Sequence, residues 1–82
     1  MTEHILNERQ ATHGSFCGVA VVAQELKAVI STASGYPNLS LQQKEALDMI
    51  ASKIARIVCG NPDFKDHWDD ISGYAMLVGR TL

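Results

Sequence analysis

The chain has 82 residues, which is enough for one small domain. Hydrophobic residues make up 46% of it and charged residues 20%, a composition typical of a globular protein and not of a disordered chain. The formal net charge of −2 offers no basic excess for phosphate backbones, so nucleic acid is not an expected partner. Because a core of this size is marginally stable alone, we expect a homo-oligomer.

The sequence also bears on where the protein resides. The N-terminus carries charged residues such as Glu3 and Arg9, and no apolar run approaches the roughly 20 residues that span a bilayer. Cys17 and Cys59 belong to no CxxC motif or Cys/His cluster, so we expect free thiols and no structural zinc. The sequence therefore predicts a cytoplasmic protein that does not contact a membrane.

The first two predicted helices flank Gly14. A short helix over Thr2–Gln10 is capped by Thr2, and a longer one over Phe16–Ser31 follows the N-cap Ser15. The second helix has an apolar stripe at spacings of three and four residues, interrupted only by a lysine. Its members are Phe16, Val19, Ala20, Ala23, Leu26, Lys27 and Ile30. Further valines lie off this stripe, which predicts burial on a second side against another subunit.

The third predicted helix, Leu41–Cys59, follows the loop over residues 34–40. Ser40 and Gln43 form a capping box at its start, and Gly60 ends it. Its apolar stripe recurs at helical spacing, with most charged residues on the other side. The stripe consists of Leu47, Ile50, Ala51, Ile54, Ile57 and Val58.

The fourth predicted helix begins near Lys65 or Asp66 and ends at about Arg80. Asp66 and Asp69 give it a capping-type start, and a glycine in its middle, Gly73, suggests close approach of a neighbouring backbone or ligand. Trp68, Ile71, Ala75 and Val78 form its apolar stripe. The predicted fold is a single all-α domain over residues 1–82. It is a small helical bundle of one short and three longer helices, with the last two as an antiparallel hairpin.

Two pairs of acidic residues raise the hypothesis of a metal site. Glu45 and Asp48 lie on the third helix, and Asp66 and Asp69 lie on the fourth. Carboxylates at such spacings hold Mg²⁺ in all-α nucleotide pyrophosphohydrolases. In an antiparallel hairpin, however, Asp48 would lie level with the middle of the fourth helix, too far from Asp66 to share a metal.

Ion pairing is the favoured interpretation of these carboxylates. A turn centred near residues 61–62 places Lys53 level with Asp70 and Arg56 level with His67. We therefore expect Lys53 and Arg56 to pair with Asp66, Asp69 or Asp70 across the hairpin. This interpretation assigns no catalytic residue, no metal ligand and no cofactor, with Mg²⁺ required only under the hydrolase alternative.

Some of these charged side chains could instead form part of a binding pocket. This requires that the loop after the first helix folds over the open end of the hairpin. Cations suit a phosphate, and an aromatic side chain suits a nucleotide base. The ordinary structural alternative is that Trp68 belongs to the core and that each histidine is a surface or capping group. The candidate pocket residues are Arg9, His13, Lys53, Arg56, Asp66, Trp68, Asp70 and Tyr74.

Two segments, "ILNERQATHGSF" and "ALDMIASKIARIVCGNPDFKDHWDDISGYAMLVGRTL", resemble a family of small proteins of tailed phages and prophages that is sometimes labelled MazG-like. The resemblance covers roughly residues 5–82 and implies expression in the cytoplasm of a bacterium. The family's recurring residues match Arg9, His13, Gly14, Lys53, Arg56, Asn61, Pro62, Asp66, Trp68, Asp70, Gly73 and Tyr74.

The sequence and the resemblance together predict a non-enzymatic, oligomeric phage accessory protein. Its partner would be a host or phage protein or a small charged, nucleotide-like ligand. One alternative is a MazG-like, Mg²⁺-dependent nucleotide pyrophosphohydrolase. Another alternative is a nucleotide-binding module without hydrolysis.

Overall fold

The computed structural model describes residues 2–82, and over this range the chain forms four α-helices and no strand. The all-α prediction is therefore confirmed. A short 3-10 helix, Tyr36–Asn38, lies in the loop between the second and third α-helices. The α-helices are α1 (Glu3–His13), α2 (Phe16–Ser31), α3 (Leu41–Cys59) and α4 (Lys65–Gly79).

Three of the predicted helix starts are confirmed by their capping hydrogen bonds. The backbone N–H of Ile5 donates to the hydroxyl of Thr2, and that of Gly18 donates to the hydroxyl of Ser15. Ser40 and Gln43 form both bonds of the capping box, at 3.1 and 2.9 Å. The predicted bounds of α2 and α3 are correct because their caps are encoded locally.

The predicted start of α4, near Lys65 or Asp66, is confirmed, but the predicted cap of this helix is wrong. Its N-cap is Phe64, which makes no side-chain capping bond, and the helix already includes Lys65. Asp66 therefore lies inside the first turn, where a negative charge favours the helix dipole but does not cap the end. Asp69 instead pairs with the ammonium group of Lys65, one turn earlier.

Helix α3 is the centre of the molecule. It packs against α4, α2 and α1, whereas α2 and α4 make at most a marginal contact with each other. The ammonium group of Lys53 lies 2.8 Å from a carboxylate oxygen of Asp70. This contact confirms the predicted antiparallel register of the α3–α4 hairpin.

Small side chains dominate the interior of the structure. Among the described residues the buried apolar side chains are Ala23, Ala46, Ala51, Ala55 and Ile57. Alanine lets two helices approach closely but removes little apolar area from water. The larger residues of the predicted stripes, such as Leu47 and Ile50, are only partly buried.

Two large aromatic residues expected in the core are exposed. Trp68 is 54% exposed and Phe16 is 85% exposed. The buried residue at the start of α4 is instead His67, which is 1% exposed. Adjacent helical residues differ by about 100° in direction, so burying His67 turns Trp68 toward solvent. Phe16, the first residue of α2, lies beside an open groove.

Within residues 2–82 no single helix combines the length and the hydropathy needed to cross a membrane. Only α1 and α2 taken together reach that combination, and they are bent by 44° at their junction.

Candidate functional site

The α1–α2 junction lies directly against the turn that joins α3 to α4. The carbonyl oxygen of Thr12 accepts a hydrogen bond from the backbone N–H of Asn61 at 3.1 Å. A Cβ atom added to Gly60 would lie 2.5 Å from that same oxygen, so only glycine allows the two segments to approach this closely. Gly14 has a φ of 86°, a conformation that residues with side chains rarely adopt. The first loop therefore folds over the end of the hairpin that the turn closes, and not over its open end as the sequence predicted.

A cluster of three rings fixes this contact. The Nε2 atom of His67 lies 3.0 Å from the carbonyl oxygen of Thr12. Because a carbonyl oxygen can only accept, this nitrogen carries the proton and donates it. The His67 ring packs edge-on against Phe64 and His13, with centroid distances of 4.9 and 4.7 Å. One buried imidazole thus attaches the end of α1 to the start of α4.

A nearly buried lysine lies close to this cluster. Lys53 is 8% exposed, and its side chain pairs with Asp70. The hydrogen bond from Lys53 holds the pKa of the Asp70 carboxyl below its ordinary value, so this carboxylate is charged at neutral pH. The opposite charges of Lys53 and Asp70 therefore compensate each other beside the α1–α2 junction.

A groove opens on the other side of the junction, between α1, the start of α2 and α3. Its volume is about 610 Å³. That is within the usual range of small-molecule sites, about 300–1,000 Å³. Three of the lining side chains are arginine or histidine and none is a carboxylate. The lining residues are Leu6, Arg9, Gln10, His13, Gly14, Phe16, Val19 and Arg56.

The electrostatic environment of the groove is positive. Burial lowers the pKa of His13 below its ordinary value of 6.5, and nearby positive charges lower it further. In decreasing order of effect these charges are Arg56, His67, Lys53 and Arg9. His13 is therefore neutral at pH 7, while the arginines remain charged. The predicted ion pair of Arg56 with Asp66, Asp69 or Asp70 is wrong, because within residues 2–82 Arg56 forms no ion pair with a carboxylate.

The structure brings some of the sequence-predicted pocket residues together and separates others. Arg9, His13 and Arg56 line the groove, and the Lys53–Asp70 pair lies behind it.

The remaining three candidates lie elsewhere. Asp66 is exposed in the first turn of α4. The indole N–H of Trp68 donates to the carbonyl oxygen of Pro62 at 2.8 Å. Tyr74 lines a separate groove with Glu45 and Arg80.

Several groove residues were not singled out as site residues by the sequence. Phe16 was assigned to the apolar stripe of α2, and Leu6, Gln10 and Val19 carried no chemical signal. The glycine in α4 shows the opposite error, because a Cβ atom at Gly73 would meet nothing within 4 Å. The predicted close approach of a neighbouring backbone to Gly73 is therefore wrong among residues 2–82.

The two acidic pairs do not meet. With Lys53 opposite Asp70, Asp48 lies opposite Ala75, nine residues and about 14 Å along α4 from Asp66. No group of three or more His, Cys, Asp or Glu side chains among residues 2–82 is arranged to hold a metal ion. The groove of arginine and histidine is thus the principal concave polar feature near the predicted site.

These features define a small helical protein with a positively charged groove at one end of its central helix. The chain matches, over residues 1–82, the model of a domain of unknown function, DUF6378. It belongs to this family. No curated protein and no solved structure matches it.

Proposed function

We propose that this protein is a non-enzymatic binding protein that captures a small anionic ligand in the groove between α1, α2 and α3. The observation that carries the proposal is the composition of the lining. Arg9, His13 and Arg56 face one groove in which no residue bears a negative charge. An anion entering it would meet the positive charge of Arg56, which forms no ion pair with a carboxylate among residues 2–82, in a partly desolvated site.

The shape of the groove favours a ligand with two chemically different parts. The guanidinium groups of Arg9 and Arg56 are planar donors that suit the oxygens of a phosphate. Leu6, Phe16 and Val19 provide an apolar wall, and the exposed ring of Phe16 can stack on a planar group. A nucleotide combines both parts, so a nucleotide-like ligand is the class we propose.

Binding without turnover is better supported than catalysis. His13 is the one acid–base group among the lining residues, and no Asp, Glu, Ser, Cys or Lys lines the groove with it as a nucleophile or as an orienting carboxylate. A MazG-like pyrophosphohydrolase would draw on the acidic pairs, which lie apart from the groove and from each other. We therefore propose a nucleotide-binding module in preference to the hydrolase.

The cellular setting is part of the proposal. The resemblance of both sequence segments to proteins of tailed phages supports an accessory role during infection or lysogeny. Such a protein would act in the cytoplasm of the bacterial host. A host or phage protein remains the other partner class, and the experiment below separates it from a small ligand.

Isothermal titration calorimetry against nucleoside triphosphates, cyclic dinucleotides and inorganic phosphate, with and without Mg²⁺, tests the proposal. We expect saturable binding that weakens as salt is raised, because screening reduces the attraction between charges. Arg56→Gln should weaken binding about 10- to 100-fold, as expected for a hydrogen bond to a charged group. Arg80→Gln, in the separate groove, is the matched control and should bind normally.

Three results would overturn the proposal. One is the absence of binding across the panel, which would direct attention to a protein partner. Another is equal weakening by Arg56→Gln and Arg80→Gln, which would show that binding is non-specific. Release of pyrophosphate that requires Mg²⁺ would restore the hydrolase alternative.

A further inference from the structure

One side of α3 carries a continuous row of aliphatic side chains that the rest of the chain covers only in part. Leu47, Ile50, Ile54 and Val58 follow one another at helical spacing, and we call this row the α3 apolar face. Leu47 and Ile50 are half-buried, Ile54 is 38% exposed and Val58 is 65% exposed. Helices α2 and α4 flank α3 and make at most a marginal contact with each other.

One end of the α3 apolar face forms a groove of about 390 Å³ against α4. Gln43 is the only residue of its lining with a polar side chain, and no lining residue is charged. The lining consists of Leu39, Gln43, Ala46, Leu47, Ile50, Ala75, Val78, Gly79 and Leu82. A groove lined in this way is a surface that the apolar side chains of a partner can fill.

The total surface area of the chain is large for its mass. The chain exposes 5757 Å². A folded monomer of 8.9 kDa exposes about 4,800 Å² by the usual scaling of area with mass. The excess of about 950 Å² is close to the roughly 800 Å² that each partner buries in a standard protein–protein interface.

The composition of the interior also indicates that apolar side chains remain available for an intermolecular contact. Ile57 is the only buried apolar side chain larger than alanine among residues 2–82. The four larger aliphatic residues of the α3 apolar face are half-buried or exposed. A surface that packs against this face would therefore bury further apolar area next to the core.

We propose that the α3 apolar face is the interface of a homodimer, in which a second copy of this chain packs against it about a twofold axis. An uncharged aliphatic surface can be self-complementary under such an axis, because the twofold axis brings no like charges together. The area required by a stable dimer matches the excess that the chain exposes.

The proposed dimer leaves the ligand groove accessible. Arg56 is two residues from both Ile54 and Val58, so it points about 200° around α3 from either. The interface and the groove are thus on different sides of the same helix. Failure of one proposal would not imply failure of the other.

The test is the molar mass of the full-length protein by light scattering after size exclusion, together with its Tm over a wide range of concentration. We expect twice 8.9 kDa and a Tm that rises with concentration, because association stabilises the folded state. Val58→Glu should raise the dimer Kd at least about 100-fold, since it buries a charge at the interface. Val21, 52% exposed, is one of the α2 valines that the sequence assigned to a subunit contact; Val21→Glu is the matched control and should remain dimeric if the interface lies on α3 instead.

A mass of 8.9 kDa at all concentrations, with a Tm independent of concentration, would overturn the proposal. So would a Val58→Glu protein that is as dimeric as Val21→Glu, because the interface would then lie elsewhere. If Val58→Glu does not fold, the concentration dependence of the wild-type Tm and the integrity of Val21→Glu decide the question.

Discussion

Lys53 and Asp70 form an ion pair across the α3–α4 hairpin in which the two partners are unequally exposed. The lysine side chain is 11% exposed, the aspartate side chain 46%, and the charged atoms are 2.8 Å apart. Removing one partner therefore does not have the same effect as removing the other. Without Asp70, the nearly buried ammonium group of Lys53 would lose its counter-charge and be poorly hydrated. Without Lys53, the half-exposed carboxylate of Asp70 would still be hydrated.

We predict that Asp70→Asn lowers Tm by several degrees and that Lys53→Met lowers it less. The first substitution leaves a nearly buried ammonium group without its carboxylate, and the second replaces it with an apolar chain of similar length. Thermal denaturation monitored by circular dichroism compares the two. A larger loss from Lys53→Met would contradict the account of unequal dependence.

Substitutions of two glycines should shift stability in opposite directions. Gly14→Ala should cost about 2 kcal/mol or more, because φ is 86° there and the added Cβ would lie 2.6 Å from the carbonyl carbon of Cys59. Gly73→Ala should gain about 0.5–1 kcal/mol, because the position is helical and open. Urea denaturation of both variants measures the difference, and a destabilised Gly73→Ala would reveal an unseen contact.

The buried imidazole of His67 should be important for attaching α1. We predict that His67→Ala costs about 2–4 kcal/mol, as for other large-to-small changes at buried sites. His67→Phe keeps the ring but removes the donor to Thr12, and should cost only about 1 kcal/mol. Hydrogen exchange of the α1 amides provides a local readout. Unchanged protection of α1 in His67→Ala would disprove the attachment.

Stability should fall as the pH drops below neutrality. In the unfolded chain His13 titrates at its ordinary pKa of 6.5, and in the folded chain burial and the neighbouring positive charges lower that pKa. Between the two values the unfolded chain binds more protons, so acid favours unfolding. The stabilisation is complete above pH 6.5 and is lost as the pH falls toward the folded pKa.

A matched pair of histidine variants tests the pH dependence. Tm measured between pH 7.5 and pH 5.5 should fall for the wild type, and the fall should be smaller for His13→Gln. His4→Gln, exposed at the start of α1, should behave like the wild type. An equal slope in all three proteins would assign the effect to other groups.

Local signals account for the part of the fold that the sequence predicts correctly. Ser15 and Ser40 cap their helices through bonds that span three residues, and a short turn sets the pairing of Lys53 with Asp70. Each of these relationships depends on nearby residues or on simple helical geometry. These relationships can therefore be predicted from the sequence without knowing which side of a helix is buried.

The groove could not be predicted in the same way. His67 is buried because it donates to the backbone carbonyl of Thr12, and a carbonyl acceptor leaves no trace in the sequence pattern. The burial of His67 turns Trp68 outward, so the aromatic residue that was expected near the ligand is displaced. Phe16, and not Trp68, is the aromatic residue beside the groove, although the helical spacing of Phe16 predicted a place in the core.

The contact between the two loops also constrains the order of folding. Thr12 and His67 are separated by 55 positions, so their hydrogen bond closes most of the chain into one loop. Closing so long a loop is slow compared with forming a helix or a hairpin between neighbours. During synthesis α1 emerges first, and we expect its contact with His67 to form only after α4 has left the ribosome. A chain released before residue 67 contains every residue that lines the groove but lacks the imidazole that helps to hold α1 against the hairpin.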